Sequence, residues 1–215
     1  MRSLEDQFEL GVILRKNLRQ NLAAAFGVRG DVARLNHEVG RSEDLSKVIG
    51  GLYYLWEEEF SYCFNAIMTH YNMMEAFANS LLATDPNVTL EMSLEEKLRR
   101  LTPDLEERFG DLLIGYRSYR NGIAHCKDPK SLENLSGLDF VTCHHIIQVG
   151  FQLWLEIMKE QGLESHLEEH EQSWAAFSER FFPVEIDPSA LPSIADVAKR
   201  TQEVLLEKHA GEKPS

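Results

Sequence analysis

Apolar residues recur at steps of three and four along almost the whole chain, while stretches that alternate between apolar and polar positions are scarce. A spacing of three and four brings the apolar side chains to one face of an α-helix. The pattern therefore predicts an all-α protein, a bundle of amphipathic helices.

The longest apolar stripe begins after Gly50 and Gly51 and ends before the turn at Asp85–Asn87. Its members are Trp56, Phe60, Phe64, Ile67, Tyr71, Met74, Phe77 and Leu81. We predict that this segment is one long helix at the centre of the core. His70 and Glu75 are expected on its polar, solvated side.

Shorter helices are predicted on both sides of this segment. A first helix from Leu4 should end near Gly27 and Gly30, and Asp31 can cap a second, short one. Ser93 and Glu96 form a capping box that opens another short helix. A helix starting at Thr102 and Pro103 then carries a stripe of Leu105, Phe109, Leu112, Tyr116, Tyr119 and Ile123. The last strong helix should span about 139–160.

The charge balance excludes some classes of function. The chain has 22 Lys and Arg against 35 Asp and Glu, a net charge of −13. This excludes a protein that binds nucleic acid through a generally basic surface, so RNA would have to meet a local cationic site. Charged residues interrupt the first thirty positions, where a leader would lie, and no uncharged run reaches the roughly 18 residues that a membrane span requires. We expect a cytoplasmic protein without membrane contact.

Cysteine usage fits that expectation. Cys63, Cys126 and Cys143 have no CxxC spacing, and a chain of 215 residues needs no disulfide to fold. We expect all three to be free thiols.

The segment from Tyr116 to His125 carries the chemistry that stands out. With the stripe through Tyr116 taken as the core face, Arg120, Asn121 and His125 all avoid its centre. On a straight helix Arg120 and His125 diverge by about 140°. They converge only if the helix bends, for which Gly122 is a plausible place, or if a second subunit brings its own copy.

This segment resembles the signature of the HEPN superfamily (higher eukaryotes and prokaryotes nucleotide-binding domain): Arg120, then Asn121, then His125 at the end of an amphipathic helix. The order of helices agrees, with a long helix, a short one opened by Glu96–Leu98 and then the motif helix. The resemblance covers about 50–160. It implies a HEPN-like bundle at 51–161, an N-terminal helical extension at 1–50, and acidic C-terminal helices with a proline-containing linker at 162–215.

The resemblance implies a metal-independent endoribonuclease of the toxin or phage-defence type. Histidine titrates near neutrality, so His125 would manage protons while the 2′-OH attacks its own 3′-phosphate. Arg120 would hold the phosphate with its planar fork, Asn121 would orient the reacting groups, and Arg117 and Lys127 could bind substrate. The products would be a 2′,3′-cyclic phosphate and a 5′-OH. No metal or cofactor is implied, and the expected partners are RNA, a second copy in a homodimer, and an antitoxin or defence-system protein.

One departure from the family pattern concerns control. HEPN toxins that are modified by a partner nucleotidyltransferase often carry a tyrosine two residues after the motif histidine. Lys127 stands at that position here, after Cys126. Control by that modification is not expected.

Two other interpretations compete with the ribonuclease. A HEPN domain can serve as a non-catalytic dimerisation, RNA-binding or adaptor module, and the charge of −13 favours this alternative. The residues from His166 to His170 match the HxxEH pattern of some zinc proteases. That pattern arises easily in an acid-rich helix, so a solvated helix face is the better interpretation.

Overall fold

A computed structural model describes residues 4–42, 44–89, 91–124, 137–163 and 191–211. Six α-helices lie in these ranges: α1 (Leu4–Val39), α2 (Leu45–Leu81), α3 (Leu94–Leu101), α4 (Leu105–Ala124), α5 (Phe140–Glu160) and α6 (Ile194–Gly211). The described part of the chain contains no strand. The predicted all-α class is confirmed; that the bundle is of HEPN type stays a prediction.

The first two helices form a long hairpin, joined by the short connection after Val39. The prediction that α1 ends near Gly27 and Gly30 is wrong, because α1 continues through both. A glycine inside a helix costs about 1 kcal/mol relative to alanine. Val28 and Val32 beside these glycines are buried in the core, and that burial outweighs the cost.

Most other helix boundaries follow the sequence signals. Ser93 and Glu96 form the capping box, with each side chain accepting from the other's backbone N–H. Asp139 caps α5 by accepting the Thr142 N–H at 2.9 Å. Gly162, with φ of 69°, ends α5 in the left-handed conformation that glycine favours.

The hydrophobic core has two parts. The larger lies among the C-terminal half of α2 and helices α3, α4 and α5, with Leu18 and Leu22 of α1. The smaller lies where α1, the start of α2 and α6 meet: Val28, Val32, Val39, Leu45, Val48, Leu52 and Val197. The fully buried Val197 docks α6 onto this second core.

The long apolar stripe of α2 is only partly in the core. Ile67, Tyr71 and Met74 are buried, as predicted. Trp56, which the pattern placed with them, is exposed, and Phe60 is half-buried. The stripe is thus covered in the C-terminal half of α2 and open in its N-terminal half.

Arg29 of α1 is a buried cation between the two parts of the core, with only 1% of its surface exposed. Its Nε lies 2.6 Å from Oε1 of the buried Glu59 of α2, and its Nη2 lies 2.6 Å from Oδ2 of Asp139. Its Nη1 donates to the Pro192 carbonyl before α6 at 3.1 Å. Glu59 also accepts the Phe140 N–H at 2.9 Å. One guanidinium therefore joins α1, α2, the start of α5 and the segment before α6.

The cysteines fit the expectation as far as the structure describes them. Cys63 and Cys143 are buried and free, and the Cys143 thiol donates to the Cys63 carbonyl at 3.4 Å. Cys126 lies outside the described residues.

Contacts cross both of the boundaries proposed for the segments 1–50, 51–161 and 162–215, through the partners of Arg29. The division into these segments stays a prediction. None of the described helices combines the length and the apolar character that crossing a bilayer requires.

We expect Arg29→Met to lower the free energy of unfolding by about 3–5 kcal/mol, because it leaves Glu59 buried without its cation. Burial is the main reason that the pKa of Glu59 is raised, and a protonated Glu59 needs no cation. The loss should therefore be smaller in mildly acidic buffer than at neutral pH. Urea unfolding measures both quantities.

The matched control is Arg34→Met, which removes an exposed arginine of α1 and its surface ion pair with Asp31. Such pairs contribute about 0–1 kcal/mol. Equal losses for the two variants would contradict the central role of Arg29.

Candidate functional site

The helix that carries the motif, α4, runs antiparallel to α2. Lys97 of α3, just before α4, pairs with Glu75 of α2 at 3.3 Å. Further along, Tyr116 packs edge to face on Tyr71, with ring centroids 5.7 Å apart. Burial raises the pKa of Tyr119, and the nearby Cys143, Asp139 and Cys63 raise it further. The chain therefore moves from the C-terminal half of α2 towards its middle.

The irregularity in α4 lies near its start. Phe109 has non-helical angles, φ −130° and ψ 18°, inside a helix that otherwise continues to Ala124. Gly122, where a bend could bring Arg120 and His125 together, has helical geometry. Up to Ala124 the helix therefore does not bend in the way that convergence within one subunit would require.

The structure places the motif residues unequally. Arg120 and Asn121 belong to the last turns of α4. His125 and Lys127 lie outside the described residues. The described chain resumes at Gly137, and Asp139 and Phe140 are tied to Arg29 and Glu59. The two described ends that flank His125 thus both lie near the middle of α2.

Arg117 is exposed and already has a partner. Its Nε donates to Oε1 of Glu95 at 3.1 Å, and its Nη2 donates to Oε2 at 2.6 Å. This two-pronged contact is the main cause of the raised pKa of Arg117. Because the same fork would recognise a phosphate, Arg117 could bind RNA only after leaving Glu95.

The other described cations of α3 and α4 are also paired with carboxylates. The pairs are Lys97 with Glu75, Arg99 with Glu106, Arg100 with Asp85, and Arg108 with Asp104 and Glu156. Each described cation of α3 and α4 is therefore held by a carboxylate. Attraction of a phosphate would depend on residues from Arg120 onward.

A buried hydrogen bond fixes the motif helix to α2. Nδ1 of His70 is bonded to the Tyr116 hydroxyl, and both side chains are fully inside the core. His70 Nε2 has no hydrogen-bond partner among the described residues. Tyr116 precedes Arg120 by one helical turn. The bond therefore sets the rotation of α4 close to the motif.

Gly150 of α5 packs directly against the hydrogen-bonded pair of His70 on α2 and Tyr116 on α4. A Cβ atom at this position would meet His70 Cε1 and would lie 2.7 Å from the Tyr116 hydroxyl oxygen and 3.0 Å from His70 Nδ1. Nothing larger than glycine fits without displacing one of these groups. The close approach of α5 to the His70–Tyr116 pair thus depends on the missing side chain.

The expectation that His70 and Glu75 face solvent is wrong for His70, which is completely buried. Desolvation lowers its pKa to about 3, so the ring is neutral at ordinary pH. Glu75 is half-buried and is the partner of the buried Lys97. A signal for His70 was present, since it lies three residues after Ile67 and four before Met74 in the core stripe.

Among the described residues no group of His, Cys, Asp and Glu is arranged to hold a metal ion. The HxxEH segment at His166–His170 lies outside the described residues.

Comparison with known proteins adds no relative: no protein-family model matches the chain, and neither the curated proteins nor the solved structures contain a match. The resemblance to the HEPN superfamily therefore depends on the motif and on the order of the helices.

We expect Gly150→Ala to destabilise the protein by about 1–3 kcal/mol, because the added methyl overpacks the His70–Tyr116 pair. The matched control is Gly27→Ala in α1, where a Cβ meets nothing within 4 Å. There alanine should stabilise by up to about 1 kcal/mol through its helix propensity. Thermal or urea unfolding compares the two, and a neutral Gly150→Ala would show that the packing at α5 is looser than described.

The buried imidazole also predicts a pH dependence of stability. Between the ordinary pKa of 6.5 and the folded value of about 3, only the unfolded chain binds a proton at His70. The contribution of the neutral His70 to the free energy of unfolding should therefore be complete above this interval, and it should be lost as the pH decreases through it. The shift corresponds to a loss on the order of 4–5 kcal/mol.

This component can be isolated with His70→Gln, which cannot titrate. The variant should be less stable than the natural chain at neutral pH. The difference between the two free energies of unfolding should shrink as the pH falls from the ordinary pKa of 6.5 towards 4, because protonation of the unfolded chain destabilises only the natural protein. Urea unfolding at a series of pH values measures it. Parallel curves across the interval would refute the assignment.

Proposed function

We propose that the protein is a metal-independent endoribonuclease that cleaves RNA by attack of a 2′-OH on the adjacent 3′-phosphate. The observation that carries this proposal is the Arg120–Asn121–His125 motif, whose first two residues lie in the last turns of α4. Support comes from the way α4 is held: its apolar stripe is buried from Leu105 to Tyr119, and Tyr116, one turn before Arg120, is bonded to His70.

Each motif residue has a chemical task. His125 takes the proton from the 2′-OH or gives one to the leaving 5′-oxygen. Arg120 stabilises the extra negative charge on the phosphate oxygens, as the other described cations of α3 and α4 are held by carboxylates. Asn121 orients the phosphate or the imidazole. The products are a 2′,3′-cyclic phosphate and a free 5′-OH.

The resemblance also suggests the biological setting, a toxin or phage-defence ribonuclease that works as a homodimer and is controlled by an antitoxin or another defence protein. Two motif helices in one dimer would supply the convergence that the straight end of α4 does not provide.

A second candidate is a HEPN module that binds a partner or RNA without cutting. The observation that favours it is the pairing of Arg117 with Glu95 and of its neighbouring cations with other carboxylates, together with the net charge of −13. A surface of this kind attracts phosphate weakly. In this case RNA would be bound, if at all, without being consumed.

The ribonuclease proposal predicts that RNA cleavage by the purified protein survives EDTA and is absent on a substrate with deoxyribose at the cleaved position, which lacks the nucleophile. His125→Ala should lower the rate by at least about 100-fold, the lower end of the range for general acid or base catalysis. Arg120→Ala should be similarly severe. Arg120→Lys should recover little, because a point charge does not reproduce the planar fork.

Two controls match these variants: His145→Ala on α5 and Arg108→Ala on α4, both at exposed positions. They should cleave at the natural rate. In cells, expression should halt growth, and His125→Ala should relieve the effect. Cleavage of the deoxyribose substrate, or a requirement for magnesium, would show that the mechanism is wrong; binding without cleavage would favour the second candidate.

A further inference from the structure

One face of α2 carries an uncovered row of large apolar side chains. The row consists of Ile49, Tyr53, Trp56 and Phe60, which lie within about 60° of one another around the helix axis. Ile49 is 49% exposed, Tyr53 57% and Trp56 39%. Neighbouring rings touch, with centroids 6.2 Å apart for Tyr53 and Trp56 and 5.8 Å for Trp56 and Phe60. We call these four residues the apolar row.

The same face of α2 is core farther along the helix. Ile67, Tyr71, Met74 and Ala78 continue it and are buried. The cover over Tyr71 is Tyr116 of α4. Five residues of α4 follow Tyr119, or about 7.5 Å of helix, so α4 ends near the turn of α2 that contains Phe60. The apolar row begins where this cover stops.

The size of the row fits a protein interface. Aromatic side chains bury about 150–250 Å² each, so at the observed exposures the row offers about 300 Å² of apolar surface. Patches of this size on a single chain are often functional. A symmetrical pair would cover about 600 Å² with this row alone, the apolar centre of an interface whose usual total is about 1,200–2,000 Å².

The charges beside the row favour a second copy over a nucleic acid. Glu57 is exposed next to it, so a phosphate backbone on this face would meet a carboxylate. Two copies of α2 in antiparallel orientation avoid that conflict. With the two-fold axis midway between Tyr53 and Trp56, Glu57 lies level with Leu52 of the partner subunit, an uncharged position, and Glu58 is on the side of α2 away from the contact.

We propose that the apolar row is the surface on which a second copy of this chain docks, with α2 against α2 in antiparallel orientation. The inference rests on the homodimer named with the proposed function and gives it a location. Because α4 ends beside Phe60, and the chain re-enters the described fold at Phe140 beside Glu59, the docked copy brings its own motif helix to the same face. The described end of each α4 then lies at the edge of the interface.

The test measures self-association of the full chain over a range of concentrations, by sedimentation equilibrium. The natural chain should dimerise, and the double variant Ile49→Glu with Tyr53→Glu should self-associate at least about 100-fold more weakly, because it buries unpaired carboxylates at the centre of the interface. Circular dichroism should show the same helix content for both, since neither residue is in the core.

The matched control is Leu206→Glu on α6, a leucine that is 62% exposed and distant in the chain from the row. This variant should dimerise like the natural chain. A natural chain that is monomeric at every concentration, or a double variant that stays dimeric, would overturn the proposal. So would a monomer whose affinity for a single-stranded RNA oligonucleotide is lost in the double variant and kept in Leu206→Glu.

The outcomes separate this inference from the proposed function. A dimer that the double variant dissociates, but that cleaves no RNA, supports the docking surface and refutes the ribonuclease. A monomer that cleaves RNA supports the ribonuclease and refutes the docking surface.

Discussion

The guanidinium of Arg29 is the contact on which the arrangement of the helices depends. It lies in the core with Glu59 and Asp139 as partners and donates a further bond to the Pro192 carbonyl. A buried cation is tolerated only where neighbouring carboxylates compensate its charge. The four segments that supply or receive these contacts are therefore held in one relative position. The Phe140 N–H, at the start of α5, also donates to the Glu59 carboxylate.

A second polar contact, between His70 and Tyr116, sets the rotation of the motif helix. Gly150 permits it, because any side chain there would collide with the pair. The two contacts act on opposite sides of the segment that contains His125: Tyr116 holds the helix that leads into it, and Arg29 holds the point where the described chain resumes.

The charge distribution explains why the choice between the two proposed functions, ribonuclease and binding module, depends on the few residues of the motif. Arg117 and its cationic neighbours on α3 and α4 are occupied by carboxylates, and the chain as a whole carries a net charge of −13. A phosphate would gain little from the general field of the protein. Any affinity for RNA would come from the motif and from what a second subunit adds beside it.

The sequence by itself determined the helical class, the capping box at Ser93, the span of α5 and the core stripe of α4 as far as Tyr119, because these depend on spacing and on contacts within a few residues. It also supplied the candidate motif. Only the tertiary structure decided that α1 continues through Gly27, that His70 is buried and that Trp56 is exposed. Those outcomes depend on which neighbouring helix covers a given face, and a pattern along one helix shows that a face is apolar without showing where its cover ends.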